Sequence, residues 1–163
     1  MTASCLRIPL ASPEATNRLA RRLAPLLGAR DVLLLDGQIG AGKTHFARAL
    51  IQSLQAASGR AEDVPSPTFT LVQTYQAGPL EIWHADLYRL SHPQDVLELG
   101  LDEAMQGALC LIEWPDRLGS LRPADALTLS LTGTGEFHRD LEISASAPRW
   151  QPVIAALGRS GDD

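Results

Sequence analysis

A run of four apolar residues and an acid, Val32-Leu33-Leu34-Leu35-Asp36, leads straight into Gly37-Gln38-Ile39-Gly40-Ala41-Gly42-Lys43-Thr44, and no other stretch restricts the fold as tightly. The run reads as a buried strand, the glycine-rich stretch as a loop, and the residues from Lys43 onward as the start of a helix. Glycines at 37, 40 and 42 let several backbone N–H groups turn inward around a phosphate, and the helix behind them aims its positive end at the same place. In such an arrangement Lys43 reaches the β- and γ-phosphates and the Thr44 hydroxyl lies on Mg²⁺. Lys43 is also the only lysine of the chain, the other strongly basic residues all being arginine. A planar guanidinium does not thread a phosphate loop, so a chain that elsewhere uses Arg keeps Lys here. The stretch predicts a nucleotide site, provided that a strand precedes it and a helix follows.

The 163 residues suit one domain with a real core, expected over residues 1–157, followed by a polar, frayed tail over 158–163. A formal net charge of −5 repels a nucleic-acid backbone, so direct RNA binding requires a partner or a local basic patch. Cys5 and Cys110 are too few for a disulfide framework and lack metal-ligand spacing. Both read as small buried hydrophobes of a reducing compartment, with no stable disulfide. No basic start with an apolar h-region opens the sequence and no apolar run approaches membrane-spanning length; the expectation is a cytoplasmic protein without membrane contact.

Leu6 to Leu10 reads as an edge strand that tolerates Pro9. Ser12 caps a helix with Pro13 in its first turn, Ala15, Leu19, Leu23 and Leu26 along one face, and Gly28 at its end. The helix after the loop is expected from Lys43 to Ala57, burying Phe46, Leu50, Ile51 and Leu54. Residues 58–63 connect, Ser66-Pro67-Thr68 continues that loop, and Phe69 to Tyr75 with Leu80 to Asp86 form a hairpin around residues 76–79. Ser91 and Gln94 make a capping box for a short helix ending near Gly100, and a further turn covers Leu101 to Met105. The unbroken run Ala108 to Glu113 suits a strand buried on both faces in the middle of a parallel sheet. Its closing carboxylate then emerges at the carboxyl edge, where α/β folds place their ligands. Ala126 to Thr132 and Phe137 to Ser144 alternate as a second hairpin, and Trp150 to Leu157 forms a terminal helix. The fold class is α/β, with a central, mostly parallel sheet and antiparallel hairpin additions.

Glu113 carries two readings: an acid exposed at a turn before Pro115, or a ligand that holds Mg²⁺ directly or through water opposite Thr44. The loop upstream favours the second. Asp86 either caps the loop after its strand, or orients or deprotonates an attacking water, or supports the metal from behind. His84, two residues earlier and therefore on the same strand face, reads as a hydrogen-bonded sheet residue, since one His and one Asp are too few for a metal site. Ser66 and Thr68 are placed where a hydroxyl senses a γ-phosphate, or form a simple turn. Trp114 covers the site or packs. Arg48, Arg89, Arg117 and Arg139 are candidates to steady transition-state charge or are plain surface cations.

Four stretches stand in a fixed order: the glycine-rich loop, Ser66-Pro67-Thr68-Phe69-Thr70-Leu71-Val72, His84-Ala85-Asp86-Leu87-Tyr88-Arg89-Leu90 and Ile112-Glu113-Trp114-Pro115. Through them, from Ser12 to about Ser144, the chain resembles the TsaE (YjeE) family, the bacterial P-loop ATPase of tRNA threonylcarbamoyladenosine synthesis. The loop alone is shared by many families; the ordered set is specific. The resemblance implies a P-loop NTPase-like three-layer sandwich that binds ATP through Gly37, Gln38, Ile39, Gly40, Ala41, Gly42, Lys43, Thr44 and His45, with Mg²⁺ on Thr44 and Glu113. It implies catalytic roles for Asp86, Lys43 and Glu113, and a switch-like segment over residues 66–70. It further implies a TsaB–TsaD complex as partner: TsaD transfers the threonylcarbamoyl group to tRNA, which this chain meets only through its partners, while ATP hydrolysis here supports repeated turnover and is weak in isolation. Two departures stand out. Gln38-Ile39 replaces the family's usual acidic-Leu pair, and His45 stands where a Thr or Ser is usual, leaving its backbone N–H as the contact. Thr16 and Arg139 match an early Thr and a late Arg of the family.

The main rival is a small-molecule P-loop kinase, whose length and loop logic are the same, although such an enzyme needs an acceptor pocket and usually an arginine-rich lid, and here the arginines are scattered. A GTPase is weaker, because no Asn-Lys-x-Asp sequence is present. A nucleotide-gated binding module with negligible hydrolysis is the third class.

Overall fold

The computed structural model describes residues 4–38, 40–57, 59 and 71–159. Strand β1 (Ser4–Leu10) leads into helix α1 (Pro13–Leu23), then β2 (Val32–Gly37) and α2 (Lys43–Ala57). A hairpin of β3 (Val72–Ala77) and β4 (Leu80–Asp86) is followed by the short helices α3 (Gln94–Glu98) and α4 (Leu101–Ala104). Then come β5 (Leu109–Glu113), β6 (Leu127–Gly133), β7 (Arg139–Ala145) and α5 (Gln151–Gly158). The strands form one seven-stranded sheet in the order β1-β7-β6-β2-β5-β4-β3. Its centre, β6-β2-β5-β4, is parallel; β3 and the pair β7, β1 add antiparallel edges.

Burial follows strand alternation. Leu33 and Leu35, Leu109 and Leu111, and Leu127, Leu129 and Leu131 face α1, α2 and α5, meeting Phe46, Leu50, Ile51 and Trp150. Val32, Leu34, Cys110 and Ile112 face the other way, against Val96, Leu101 and Leu118 from α3, α4 and a 3₁₀ segment at Pro115–Leu121. β2 and β5 thus bury both faces, as an unbroken apolar run requires. The outer strands have one polar face left toward solvent, with Cys5, Arg7, Thr132 and Asp140 exposed along it.

α1 starts as its cap predicts: Ser12 Oγ accepts the Ala15 N–H at 3.1 Å. It tightens into a 3₁₀ turn at Ala24–Leu26, because Pro25 has no N–H to continue the α ladder. The first hairpin turns on Gly78-Pro79 alone, with Ala77 already paired to Leu80; Phe69 and Thr70, expected at its start, lie outside the described residues, as do residues 60–68. Three local readings are corrected. The Ser91–Gln94 capping box is not made; α3 starts after Pro93 with no side-chain cap, and Asp95 Oδ2 reaches back to the His92 N–H at 3.4 Å. Leu54 is only half-buried while Gln55 is fully buried and donates to the Gln76 carbonyl at 3.3 Å. Cys5 is exposed because it falls on the outward row of β1, whereas Cys110 is buried, which pushes its thiol up to about 12. Of the tail expected from residue 158, Gly158 closes α5 and the Arg159 carbonyl accepts from Arg22 at 3.0 Å; residues 160–163 lie outside the described ones. No helix among the described residues is long and apolar enough to cross a membrane.

One ion pair fastens the start of β2 to the C-terminal segment. Arg149 grips Asp31 through Nη2 at 2.8 Å and Nε at 3.2 Å and donates to the Leu26 carbonyl at 2.7 Å, while Asp31 also accepts the Gly28 N–H at 2.8 Å. Asp31→Ala leaves a partly buried N–H and a partly exposed guanidinium without this acceptor, which costs about 0.5–1.5 kcal/mol. The expected outcome in a thermal melt is a Tm lowered by roughly 2–4 °C per kcal/mol, with near-native far-UV circular dichroism; an unchanged Tm contradicts the pairing.

Candidate functional site

The register brings the sheet's carboxyl edge together. Glu113 pairs with Leu35 of β2 and with Asp86 of β4. Since Leu109, Leu111 and Ile82 face α2, alternation turns Glu113, Asp86 and His84 toward the same layer. All three are buried, at 2%, 5% and 0% exposure. Lys43 and Thr44 occupy the first turn of α2 beside them. Thr44 Oγ1 donates to Glu113 from 2.9 Å to each carboxylate oxygen, and His84 Nε2 stands 2.7 Å from Oε2. The reading of Glu113 as an exposed turn acid is thereby excluded.

The loop between β2 and α2 depends on close packing. Gly37 is in register with Leu131, and a Cβ on it would stand 2.6 Å from the Leu131 carbonyl oxygen at a φ of +147°. Only glycine fits there. Asp36, turned to the opposite sheet face, accepts the Gly37 N–H at 2.9 Å, and the Gln38 carbonyl accepts the Ala41 N–H at 3.0 Å. Ile39 lies outside the described residues.

Lys43 is 5% exposed. Its ammonium donates to the Gly37 carbonyl and, at 3.4 Å, to that of Gln38, and lies 3.6 Å from the centroid of a Trp114 ring. Burial lowers its pKa from the ordinary 10.5, against the pull of Glu113, Asp86 and Asp36. Trp114 covers the site: it is held at φ +59°, ψ 56°, and packs on Tyr88 with ring centroids 4.8 Å apart. A left-handed backbone at a non-glycine residue costs about 1–2 kcal/mol, so the packing around this ring over-determines its place. Asp86 Oδ1 accepts the Tyr88 N–H at 3.0 Å. Its capping of the loop is therefore real, and it coexists with a place in the site. Gly40, Gly42, Lys43, Thr44, His45, Asp86, Tyr88, Glu113 and Trp114 line a pocket of about 390 Å³, a size common for small-molecule sites.

Arg139, a sequence candidate for charge stabilisation or a surface cation, is bonded to main-chain carbonyls. Nε donates to the Ala41 carbonyl at 3.0 Å and Nη2 to that of Gly40 at 3.2 Å, while Nη1 reaches the Gly135, Glu136 and His138 carbonyls at 3.2, 3.3 and 2.8 Å. It clamps the glycine-rich loop to the β6–β7 turn. Thr16, His45, Phe137 and Arg139 share a smaller cavity of about 110 Å³ on that side. Arg48, Arg89 and Arg117 are not among the lining residues of the pocket of about 390 Å³. Tyr88 is a lining residue to which the sequence reading gave no role; its signal was its place two positions after Asp86, within the stretch His84 to Leu90. Ser66, Thr68 and the switch-like segment 66–70 lie outside the described residues.

Among the described residues no group of three or more His, Cys, Asp or Glu side chains converges as a metal cage. The donor set suits Mg²⁺ nevertheless. One carboxylate and one hydroxyl, both hard oxygen donors, are what this ion takes from a protein when phosphates and water complete its shell.

A family model described as "Threonylcarbamoyl adenosine biosynthesis protein TsaE" matches residues 10–141. The chain is 43% identical over 122 residues to the tRNA threonylcarbamoyladenosine biosynthesis protein TsaE of Rickettsia conorii, covering 75% of this chain and 68% of that one. It is 33% identical over 149 residues to the protein of the same description from Bacillus subtilis, covering 91% and 90%. The crystal structure of Bacillus subtilis YdiB superposes with a TM-score of 0.80 at 28% identity, over 98% of this chain and 97% of that one.

The buried ammonium of Lys43 has a chemical signature. Because its folded-state pKa lies below the unfolded 10.5, the folded chain binds fewer protons just under that pH, and stability rises with pH through this window. As the only lysine, Lys43 can be followed without interference: acylation by an amine-reactive reagent, quantified by peptide mass spectrometry across about pH 7–11, is expected to rise with a midpoint below the free-lysine value. A midpoint at or above 10.5 contradicts the desolvated environment.

Proposed function

The chain belongs to the TsaE family of threonylcarbamoyl adenosine biosynthesis proteins, and from this premise we propose that it is a Mg²⁺-dependent ATPase subunit serving a TsaB–TsaD complex that modifies tRNA. The observation that carries the proposal is the Thr44 hydroxyl set on the buried Glu113 carboxylate at the head of a glycine-rich loop. That pairing joins a phosphate-binding loop to a sheet-edge acid, and a buried acid beside a triphosphate makes sense only with a cation between them.

In this reading the backbone amides from Gly37 to His45 and the Lys43 ammonium bind the phosphates, and α2 adds the positive end of its dipole. Thr44 and Glu113 hold Mg²⁺, which supplies charge neutralisation on the phosphate oxygens. Asp86, buried on the same sheet edge and fixed by the Tyr88 N–H, orients the attacking water. Trp114 and Tyr88 close the pocket against bulk solvent. Arg139 keeps the loop in shape through its carbonyls instead of acting as a finger. The chain does not transfer the threonylcarbamoyl group itself, and its net charge of −5 favours contact with tRNA through partners.

Phosphate release measured together with a pull-down on the TsaB–TsaD pair, in ATP and in ADP, tests this directly. The expected result is nucleotide-dependent capture with phosphate released in the absence of any small acceptor. A kinase releases none without its acceptor, and that outcome overturns the proposal. Asp86→Asn is expected to retain ATP affinity while losing hydrolysis by about a hundredfold or more. Lys43→Ala is expected to lose both, since each charge-assisted bond removed is worth about 1.5–3 kcal/mol. Full turnover in either variant refutes the role assigned to that residue.

A further inference from the structure

His84 is a histidine at a strand position that asks for an apolar side chain. It is fully buried on β4, between the sheet and α2, where Ile82 fills the equivalent place two residues earlier. Nε2 is 2.7 Å from Glu113 Oε2, and a carboxylate only accepts, so Nε2 carries the hydrogen. Nδ1 is buried and has no hydrogen-bond partner among the described residues. Leaving a buried acceptor unpaired is unfavourable, and an aliphatic residue of similar volume avoids it. Among the described residues the ring therefore makes one side-chain bond, the one to Glu113.

We infer that His84 is a positioning residue that fixes the rotation of the Glu113 carboxylate for cation binding. The inference rests on the reading of Thr44 and Glu113 as the Mg²⁺ ligands. Glu113 is gripped from two sides: Thr44 Oγ1 lies 2.9 Å from both oxygens, and the ring holds Oε2 from the neighbouring strand. Without the ring, the sheet side of a nearly inaccessible anion loses its donor and the carboxylate turns toward whatever polar group remains. Hydrogen bonds behind a metal ligand set its orientation in this way, and their loss typically weakens metal binding by 10- to 100-fold.

Two full-length variants separate positioning from mere packing. In His84→Gln the amide nitrogen reaches about as far from the backbone as Nε2; in His84→Asn it stops where Nδ1 stood. ADP affinity is measured by calorimetry over a Mg²⁺ series and in EDTA, with thermal melts to verify folding. His84→Asn is expected to raise the Mg²⁺ concentration for half-maximal tightening about 10- to 100-fold, and His84→Gln by no more than about threefold, with affinity in EDTA unchanged in both. A folded Asn variant with a wild-type Mg²⁺ requirement overturns the role of His84 alone. If the Asn variant does not fold, the Gln variant decides: about threefold or less supports the inference, and any larger increase overturns it. Wild-type ADP affinity indifferent to Mg²⁺ overturns the magnesium reading, and this inference with it.

Discussion

The start of the helix after the glycine-rich loop is tied to the sheet by Thr44 of α2 on Glu113 of β5, 69 positions away in sequence. This contact exists only because β2 and β5 are parallel neighbours in one register, Leu35 beside Glu113. A slip of one residue would turn Glu113 to the α3–α4 face and bring Ile112 to the loop. The unbroken apolar sequences of both strands fix that register from two sides, since each residue must suit the layer it faces. Packing of the core and placement of the carboxylate are in this sense a single constraint.

The same edge concentrates charge where water is scarce. Lys43, Asp86 and Glu113 are each at most 5% exposed, and they offset one another. Burial works against the ammonium, while the three nearby acids favour it. Among the described residues its immediate partners are loop carbonyls and an aromatic face, with no anion in contact. A buried cation held by neutral acceptors gains by exchanging them for charged ones, such as the oxygens of an anion. Trp114 belongs to this arrangement. Its left-handed backbone lets the chain turn sharply after Glu113 and bring the ring back over Lys43, with Tyr88 behind it.

Much of this was legible in the sequence because it depends on local pattern. The strand, loop and helix around residues 32–57 follow from periodicity and glycine spacing, and α2 spans Lys43–Ala57 as the pattern predicts. The both-face burial of β5 follows from its lack of alternation. What the sequence concealed were relations across the sheet. His84 was read as a hydrogen-bonded sheet residue, and that is what it is; its partner, Glu113, could not be named without the β4–β5 register. The Ser91–Gln94 capping box failed because Pro93 and Asp95 shift the helix start, a competition between overlapping local signals. Cys5 is exposed simply because its strand lies at an edge whose outward row faces no third layer.

Arg139 shows what a sequence reading of single cations leaves out. Like Arg48, Arg89 and Arg117, it reads as a candidate to steady charge or as a surface cation, and its three nitrogens face main-chain carbonyls of the loop and of the β6–β7 turn. A glycine-rich loop has many backbone conformations open to it and ordering it is entropically costly. A planar guanidinium can satisfy several carbonyls at once, which a lysine cannot do in fixed geometry. The antiparallel hairpin β6–β7 thus becomes part of the glycine-rich loop's scaffold: Leu131 closes on Gly37 from below, and Arg139 fixes Gly40 and Ala41 from the side. The division of labour between the only lysine and this arginine follows from shape. The slender ammonium enters the loop, and the broad guanidinium holds it from outside.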